Sequence, residues 1–313
     1  MKDKISVALA TYNGERYLRE QLDSLYSQTL VPDEIVVSDD FSTDNTISIL
    51  EEYHLKYGLF YHINEINLGI NKNFERAITL CSGDYIALCD QDDVWMAQKI
   101  EKSYKKLKSI EDNMPSLVSS RIIEVDVNLN ELTDLKEAED SDSYVTTLFG
   151  HHSQGCTLMM NRALLKYIIP IPSDFSTPFD FYIGLTAAMV GNKYNIAEPL
   201  MYYRQHLTNV KFKVSEKKIS VIQLLKNTFN DRYPFLIPEE RLYNMRVIAK
   251  LQSQHFISER TSLYKKLLSL EGKINLPKKI EIIYSIKELP LSRRFLIIMY
   301  SVISHMFRVI IKI

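Results

Sequence analysis

Three short apolar runs, Ile5–Ala10, Glu34–Ser38 and Tyr85–Cys89, each end abruptly in a polar cluster. The clusters are Thr11-Tyr12-Asn13-Gly14-Glu15, Asp39-Asp40 and Asp90-Gln91-Asp92-Asp93. Apolar runs of this length, bounded by turn residues, read as buried strands that emerge into solvent where the polar residues begin. Between them the period changes. Tyr17, Gln21, Leu22 and Leu25 recur at helical spacing up to Pro32, and Ser42-Thr43-Asp44 can cap a helix over Asn45–Tyr57. Phe60–Ile63 adds a strand and Asn71–Leu80 a helix. The order β-α-β-α-β-α-β predicts an α/β fold, a mainly parallel sheet flanked by helices.

In such sheets ligands bind beyond the carboxyl ends of the strands, where all three clusters should converge. Neither GxGxxG nor GxxxxGK[ST] is present, so a nucleotide would have to be held in another way. Asp90, Asp92 and Asp93 are three carboxylates in four residues. They repel one another unless a cation compensates them, which points to a metal-diphosphate site. Asp93 also precedes Val94–Ile100, for which a helix capped by this residue is expected. A cap needs only one carboxylate.

With 313 residues and 46% hydrophobic content, the chain can bury a large domain and an appendage. Charge is divided unevenly. Residues 1–210 hold 18 Lys and Arg against 31 Asp and Glu, whereas residues 211–313 hold 20 against 8. The acidic part suits metal binding and the basic part an anionic surface such as a membrane or a nucleic acid. Cys81, Cys89 and Cys156 form no CxxC pair and no even-numbered framework, which favours a reducing, cytoplasmic setting. No signal-like stretch separates Met1–Lys4 from the first strand.

Residues 111–150 are polar and acidic and read as a loop or edge hairpin. Gly155–Met160 reads as a strand followed by a helix from Arg162, and Phe181–Val190 as a helix with Asp180 at its N-terminus. Leu200–His206 reads as a strand running into a polar loop. Beyond residue 210 the pattern is helical throughout. Its last stretch, Arg293–Ile313, is interrupted by His305, Arg308 and Lys312, so an interfacial or docked helix is expected there rather than a membrane-spanning one.

The segments Val7–Glu15, Ile35–Asp44, Asn67-Leu68-Gly69 and Ser82–Asp93, in this order, resemble the nucleotide-sugar-binding half of glycosyltransferase family 2, the inverting GT-A enzymes. Gly155–Arg162 and Tyr203–His206 are similar to the bacterial polysaccharide branch of that family that includes rhamnosyltransferases. The resemblance implies a GT-A catalytic domain over 1–210, made of a donor half (1–100) and an acceptor half (101–210), with a basic helical region over 211–313. It implies that Thr11, Tyr12 and Glu15 line the nucleotide pocket and that Asp39 or Asp40 accepts the pyrimidine N3–H. Asp90-Gln91-Asp92 would be the DXD motif, with Asp90, Asp92 and His206 holding Mg²⁺ or Mn²⁺ and Arg204 reaching a phosphate. Gln91 and Asp93 would lie against the donor.

Asp180 matches the position of the catalytic base, although Phe179 stands where related sequences often carry His; Asp174 is its nearest rival. Gly155, Trp95 and Tyr182, with His151 and His152, would border the acceptor. The implied donor is dTDP-rhamnose first and UDP-galactose or UDP-glucose second. The implied acceptor is a lipid-linked or growing cell-surface polysaccharide at the inner face of the cytoplasmic membrane, with no nucleic acid as partner. The oligomeric state is left open, a dimer included. A nucleotidyltransferase would share the carboxylates and the metal but adds a glycine-rich basic loop that is missing here. A non-catalytic sugar- or nucleic-acid-binding protein would explain the basic tail but leave Asp39-Asp40 and Asp90–Asp93 unexplained.

Overall fold

The computed structural model describes residues 2–110, 114–132, 154–172 and 179–206, and three single positions, Ile257, Lys265 and Glu281. The chain divides into two compact units, Met1–Asp142 with His152–Glu216 and Ser143–His151 with Lys217–Ile313. All elements below belong to the first. The acidic segment Asp134–Asp142, His151, His152, Asp174 and nearly all of the basic C-terminal region lie outside the described residues.

The donor half follows the expected order. Strands β1 (Ile5–Thr11), β2 (Glu34–Asp39), β3 (Phe60–Ile63) and β4 (Tyr85–Cys89) alternate with helices α1 (Leu18–Tyr26), α2 (Thr46–Tyr57) and α3 (Ile70–Leu80). β1 pairs in parallel with both β2 and β4, and β2 pairs in parallel with β3. Flanked on both sides, β1 buries both faces: Val7, Ala8 and Leu9 are wholly inaccessible, so its sequence is a continuous apolar run rather than an alternation. Leu18, Leu22 and Leu25 of α1 are equally buried at helical spacing. Burial of each such leucine contributes roughly 2 kcal/mol before conformational entropy is subtracted. α2 ends at Gly58, whose φ of 74° is the left-handed value that closes a helix with least strain in glycine.

The acceptor half departs from the sequence expectations in three places. Val94–Ile100 is not one helix: Val94–Trp95 is a short strand, β5, and helix α4 starts only at Lys99 and runs to Lys108. Tertiary contacts win here. Trp95 N donates to Ser24 Oγ at 3.1 Å, Met96 N donates to Leu200 O at 3.0 Å, and the indole is buried in the core. The expected loop or edge hairpin over 111–150 contains a ten-residue strand, β6 (Ser116–Val125), which lies inside the sheet. Gly155–Met160 opens as a 3₁₀ turn over Gly155–Thr157 before strand β7 (Met159–Asn161).

Helices α5 (Arg162–Ile168) and α6 (Phe179–Val190) follow, then β8 (Asn192–Arg204). The eight strands are ordered β3-β2-β1-β4-β7-β6-β8-β5. β7 runs antiparallel to β4 and β6, and β5 antiparallel to β8, so the donor half is purely parallel and the acceptor half mixed. β6 and β8 pair in parallel, with register shifts around Arg121, which faces Pro199. Proline offers no N–H to the ladder, which accounts for an irregularity at that point. Between α6 and β8, Gly191 passes so close to Pro115 that an added Cβ would lie 1.9 Å from its carbonyl oxygen.

Candidate active site

The loops after β1 and β2 are laced together. Thr11 Oγ1 donates to Asp39 Oδ1 at 2.7 Å, Asn13 N to Ser42 Oγ at 2.8 Å, and Gly14 N to Thr46 Oγ1 at 2.8 Å. Glu15 N donates to Asp44 Oδ2 at 3.0 Å, while Glu15 Oε2 accepts from Asn45 N at 2.9 Å. Asp39 also accepts from Ser42 N (2.8 Å) and Ser42 Oγ (2.6 Å). Asp40 accepts from Asn64 Nδ2 (3.0 Å), Leu68 N (2.7 Å) and Gly69 N (2.9 Å). Both carboxylates are buried, so each is satisfied by loop donors, as a buried charge must be. Asn13 and Phe41 adopt positive φ, 48° and 66°, and Tyr12 and Phe41 leave about half of their surface exposed.

The acidic motif follows β4. Gln91 is joined to the first loop: Oε1 accepts from Tyr12 N at 2.8 Å and Nε2 donates to Tyr12 O at 3.0 Å. Asp92 Oδ2 lies 2.8 Å from His206 Nε2. Asp93, expected as a helix cap or a donor contact, is neither. Its carboxyl is wholly buried, no helix starts there, and Oδ1 accepts from Arg204 N at 3.1 Å. Burial first, then the neighbouring Asp92 and Asp90, push its pKa well above the usual carboxylate range, against the opposing pull of the Arg204 N–H and Cys156. The protonated form of Asp93 is thereby favoured.

Among the described residues one group of side chains is gathered closely enough to hold a cation. Ligand atoms of Asp90, Asp93 and Cys156 lie within 4.8 Å of one another. The expected set of Asp90, Asp92 and His206 is not gathered in this way: Asp92 pairs with His206, while Asp90 lies with Asp93 and Cys156. Burial pushes the Cys156 thiol well above its usual range, which makes it a poor ligand for a hard cation that takes oxygen donors. Asp92 keeps part of its side chain exposed beside His206, so this carboxylate–imidazole pair offers oxygen and nitrogen donors of the kind Mg²⁺ or Mn²⁺ accepts.

Arg204, expected at a phosphate, faces protein instead. Its guanidinium is 1% exposed; Nε donates to Asp92 O at 2.9 Å, Nη1 to Val127 O at 2.7 Å, and Nη2 to the Glu20 carboxylate. It also lies over the Tyr17 ring at 4.5 Å, and the same ring meets that of His206 at 5.0 Å. Glu20 and Tyr17 escape sequence reasoning because they sit almost two hundred residues before Arg204, one in α1 and the other just ahead of it, where helical periodicity accounts for both as ordinary positions.

On the acceptor side, Asp180 occupies the first turn of α6. Its Oδ2 accepts from Gly155 N at 3.1 Å and its Oδ1 from Phe181 N at 2.7 Å. Phe179 stacks on Phe74 of α3 at 4.1 Å, and Phe179 N donates to Asn71 Oδ1 at 3.1 Å. A Cβ on Gly155 would meet Phe179 Cζ at 2.6 Å, so this glycine makes room for the ring that anchors the helix. Trp95 and Tyr182, expected to border the acceptor, are 3% and 1% exposed and belong to the core.

The family model for glycosyl transferase family 2 matches residues 6–168, more than half of the chain. The dTDP-rhamnosyl transferase RfbG of Shigella flexneri is 31% identical over 234 residues, covering 69% of this chain and 79% of its own. An uncharacterised glycosyltransferase of Methanocaldococcus jannaschii is 28% identical over 75% of this chain and 82% of its own. Among solved structures, residues 1–349 of TarS from S. aureus, in complex with UDP-GlcNAc, superpose with a TM-score of 0.61 at 20% identity, covering 91% of this chain and 80% of that one. The mannosyltransferase PcManGT from Pyrobaculum calidifontis, with GDP-Man and Mn²⁺, gives 0.52 at 17% identity, covering 96% and 86%. The chain belongs to glycosyl transferase family 2 and is a glycosyltransferase. Its fold is the GT-A type, and its sequence is similar to a rhamnosyl transferase.

Proposed function

We propose that the protein is an inverting transferase that moves a sugar, rhamnose from dTDP-rhamnose before galactose or glucose from UDP, onto a hydroxyl of a lipid-linked or growing cell-surface polysaccharide. The observation that carries this reading is the joining, through Gln91 and Tyr12, of the laced loops after β1 and β2 to the acidic motif that bears the Asp92–His206 pair. The likeness to RfbG favours rhamnose. In this reading Thr11, Tyr12, Glu15, Asp39 and Asp40 shape the nucleotide pocket, and Gln91 braces it against the motif.

Asp90, Asp92 and His206 would hold Mg²⁺ or Mn²⁺, which when bound neutralises the leaving diphosphate. Asp180 takes the proton from the acceptor hydroxyl as its oxygen bonds to the anomeric carbon. The bond from that carbon to the diphosphate oxygen breaks on the opposite face, inverting the configuration. The main-chain N–H of Gly155 keeps the Asp180 carboxylate oriented. The domain is taken as residues 1–210, and the basic region 211–313 as the part that associates with the anionic inner face of the cytoplasmic membrane. Among the described residues no helix is long and apolar enough to cross a membrane.

Titration calorimetry with UDP and with dTDP, each with and without Mn²⁺, tests the donor assignment. Binding strengthened by Mn²⁺ is expected, with dTDP the tighter; no binding of either nucleotide under both conditions would overturn it. Mass-spectrometric screening of nucleotide sugars then identifies the sugar, and sedimentation of the full chain with anionic vesicles checks the membrane assignment.

A further inference from the structure

Arg204 is buried, yet it reaches three separate parts of the chain. Its Nε donates to Asp92 O at 2.9 Å and its main-chain N to Asp93 Oδ1 at 3.1 Å, so a single residue grips both final positions of the acidic motif. Nη1 reaches Val127 O at 2.7 Å in the turn after β6, and Nη2 pairs with Glu20 on α1. Its face covers the Tyr17 ring, and that ring packs against the imidazole of His206, two residues further on. Arg204 and His206 therefore flank one aromatic ring, and each touches Asp92, one at its carbonyl and the other at its carboxylate.

A buried guanidinium loses several kcal/mol of hydration, which is recovered only through well-directed acceptors. Lysine has no planar fork and could not meet three acceptors lying in different directions. The peptide plane that carries Asp92 and the ring that sets the tilt of His206 are thus both fixed by one side chain. A displacement of about 1 Å in either ligand is enough to spoil octahedral coordination of a hard divalent cation.

We infer that Arg204 is a positioning residue for cation binding: it touches neither donor nor metal but holds Asp92 and His206 in the geometry at which they ligate together. This inference rests on the reading that Asp92 and His206 bind the metal.

The test is titration of Mn²⁺ alone, followed by the electron paramagnetic resonance signal of the free ion, with wild type, Arg204→Lys, His206→Ala and the double variant. Arg204→Lys is expected to weaken Mn²⁺ binding at least tenfold. Its loss should be strongly non-additive with that of His206→Ala, because the first variant acts through the second ligand. UDP or dTDP binding in EDTA should be unchanged. In turnover, KM for the donor should rise at limiting Mn²⁺, and saturating Mn²⁺ should restore most of kcat.

Should Arg204→Lys fail to fold, Glu20→Ala removes one arm of the same fork from an exposed position, and a threefold or greater weakening is expected. Wild-type Mn²⁺ affinity in a folded Arg204→Lys or Glu20→Ala, or full additivity with His206→Ala, would overturn the inference and leave the metal assignment standing. A wild-type protein that binds nucleotide but no Mn²⁺ would overturn both the metal assignment and the inference.

Discussion

Gln91 stands against Tyr12 as a neighbouring strand would, exchanging one hydrogen bond with its N–H (2.8 Å) and one with its carbonyl (3.0 Å). The acidic motif and the first loop are thereby held as one body. Gly14 completes the arrangement, because a Cβ there would lie 2.3 Å from Gln91 Oε1.

Gly14→Ala and Gln91→Ala should therefore have the same effect, the first by displacing the carboxamide and the second by removing it. Two neutral hydrogen bonds are together worth about 1–2 kcal/mol, or roughly tenfold in nucleotide affinity. Calorimetry with UDP and dTDP reads this directly, and the double variant should be no weaker than either single one. Undiminished affinity in Gly14→Ala would show that the two loops are not coupled.

Asp180→Asn keeps the shape of the first turn of α6 and removes the base. Transfer should fall by roughly a hundred- to ten-thousand-fold, the range that general-base catalysis contributes. Nucleotide affinity should stay within about twofold. Product formation and calorimetry on the same preparation separate the two effects, and full turnover would move the role of base elsewhere.

Lys99 is fully buried, and burial lowers its pKa to about 8, against the smaller opposing influence of Cys156, Cys89 and Asp93. The unfolded chain therefore binds the proton more tightly, so stability rises with pH between about 8 and the ordinary lysine value of 10.5. Below that window the folded protein carries a cost of about 3 kcal/mol. The contact of Nζ with the Trp95 ring, 4.6 Å from its centroid, offsets about 1 kcal/mol. Lys99→Met should then be more stable than wild type by roughly 2 kcal/mol at pH 7, with the gap closing toward pH 10.5. Urea unfolding at the two pH values measures it, and a destabilised variant at pH 7 would count against the sign.

Glu34 titrates in the opposite sense. Partial burial is the largest single influence and raises its pKa, but donors from Lys4, Ser6 and Ser82 together outweigh it and bring the value down to about 2. A depressed carboxylate contributes stability that is complete above the unfolded value of 4.5 and is lost as pH falls toward 2. Glu34→Gln should thus cost on the order of 2–3 kcal/mol at pH 6 and progressively less below pH 4.5. Unfolding curves between pH 2 and 6 test this, and a difference that does not change with pH would refute it.

Legibility in the sequence followed locality. β1, β2 and β4 could be read because a strand buried on both faces must be apolar throughout, and the polar clusters that end them mark the edge where ligands meet. Asp92 and His206 could be placed together only through the family resemblance, since 114 residues separate them. Val94–Ile100 departs from its helical pattern because helix propensity is a weak local signal, whereas Trp95 is held by Ser24 and the main chain of β8. β6 was hidden in a polar stretch because its partners, β7 and β8, come later in the chain. The engagement of Arg204 by Glu20, Val127 and Asp92 left no periodic trace at all.

Asp39 and Asp40 each accept three hydrogen bonds, Asp39 from Thr11 at the end of β1 and Ser42 in the loop after β2, and Asp40 from Asn64, Leu68 and Gly69 in the loop after β3. A position used in this way cannot drift during evolution without unfastening the architecture around it, so a change of donor preference is not expected to begin there. Tyr12 and Phe41 are different: their rings, about half exposed, stand on the loops after β1 and β2 and brace nothing comparable. Divergence in what relatives of this chain accept would be found first at these two rings, with the aspartates beneath them unaltered.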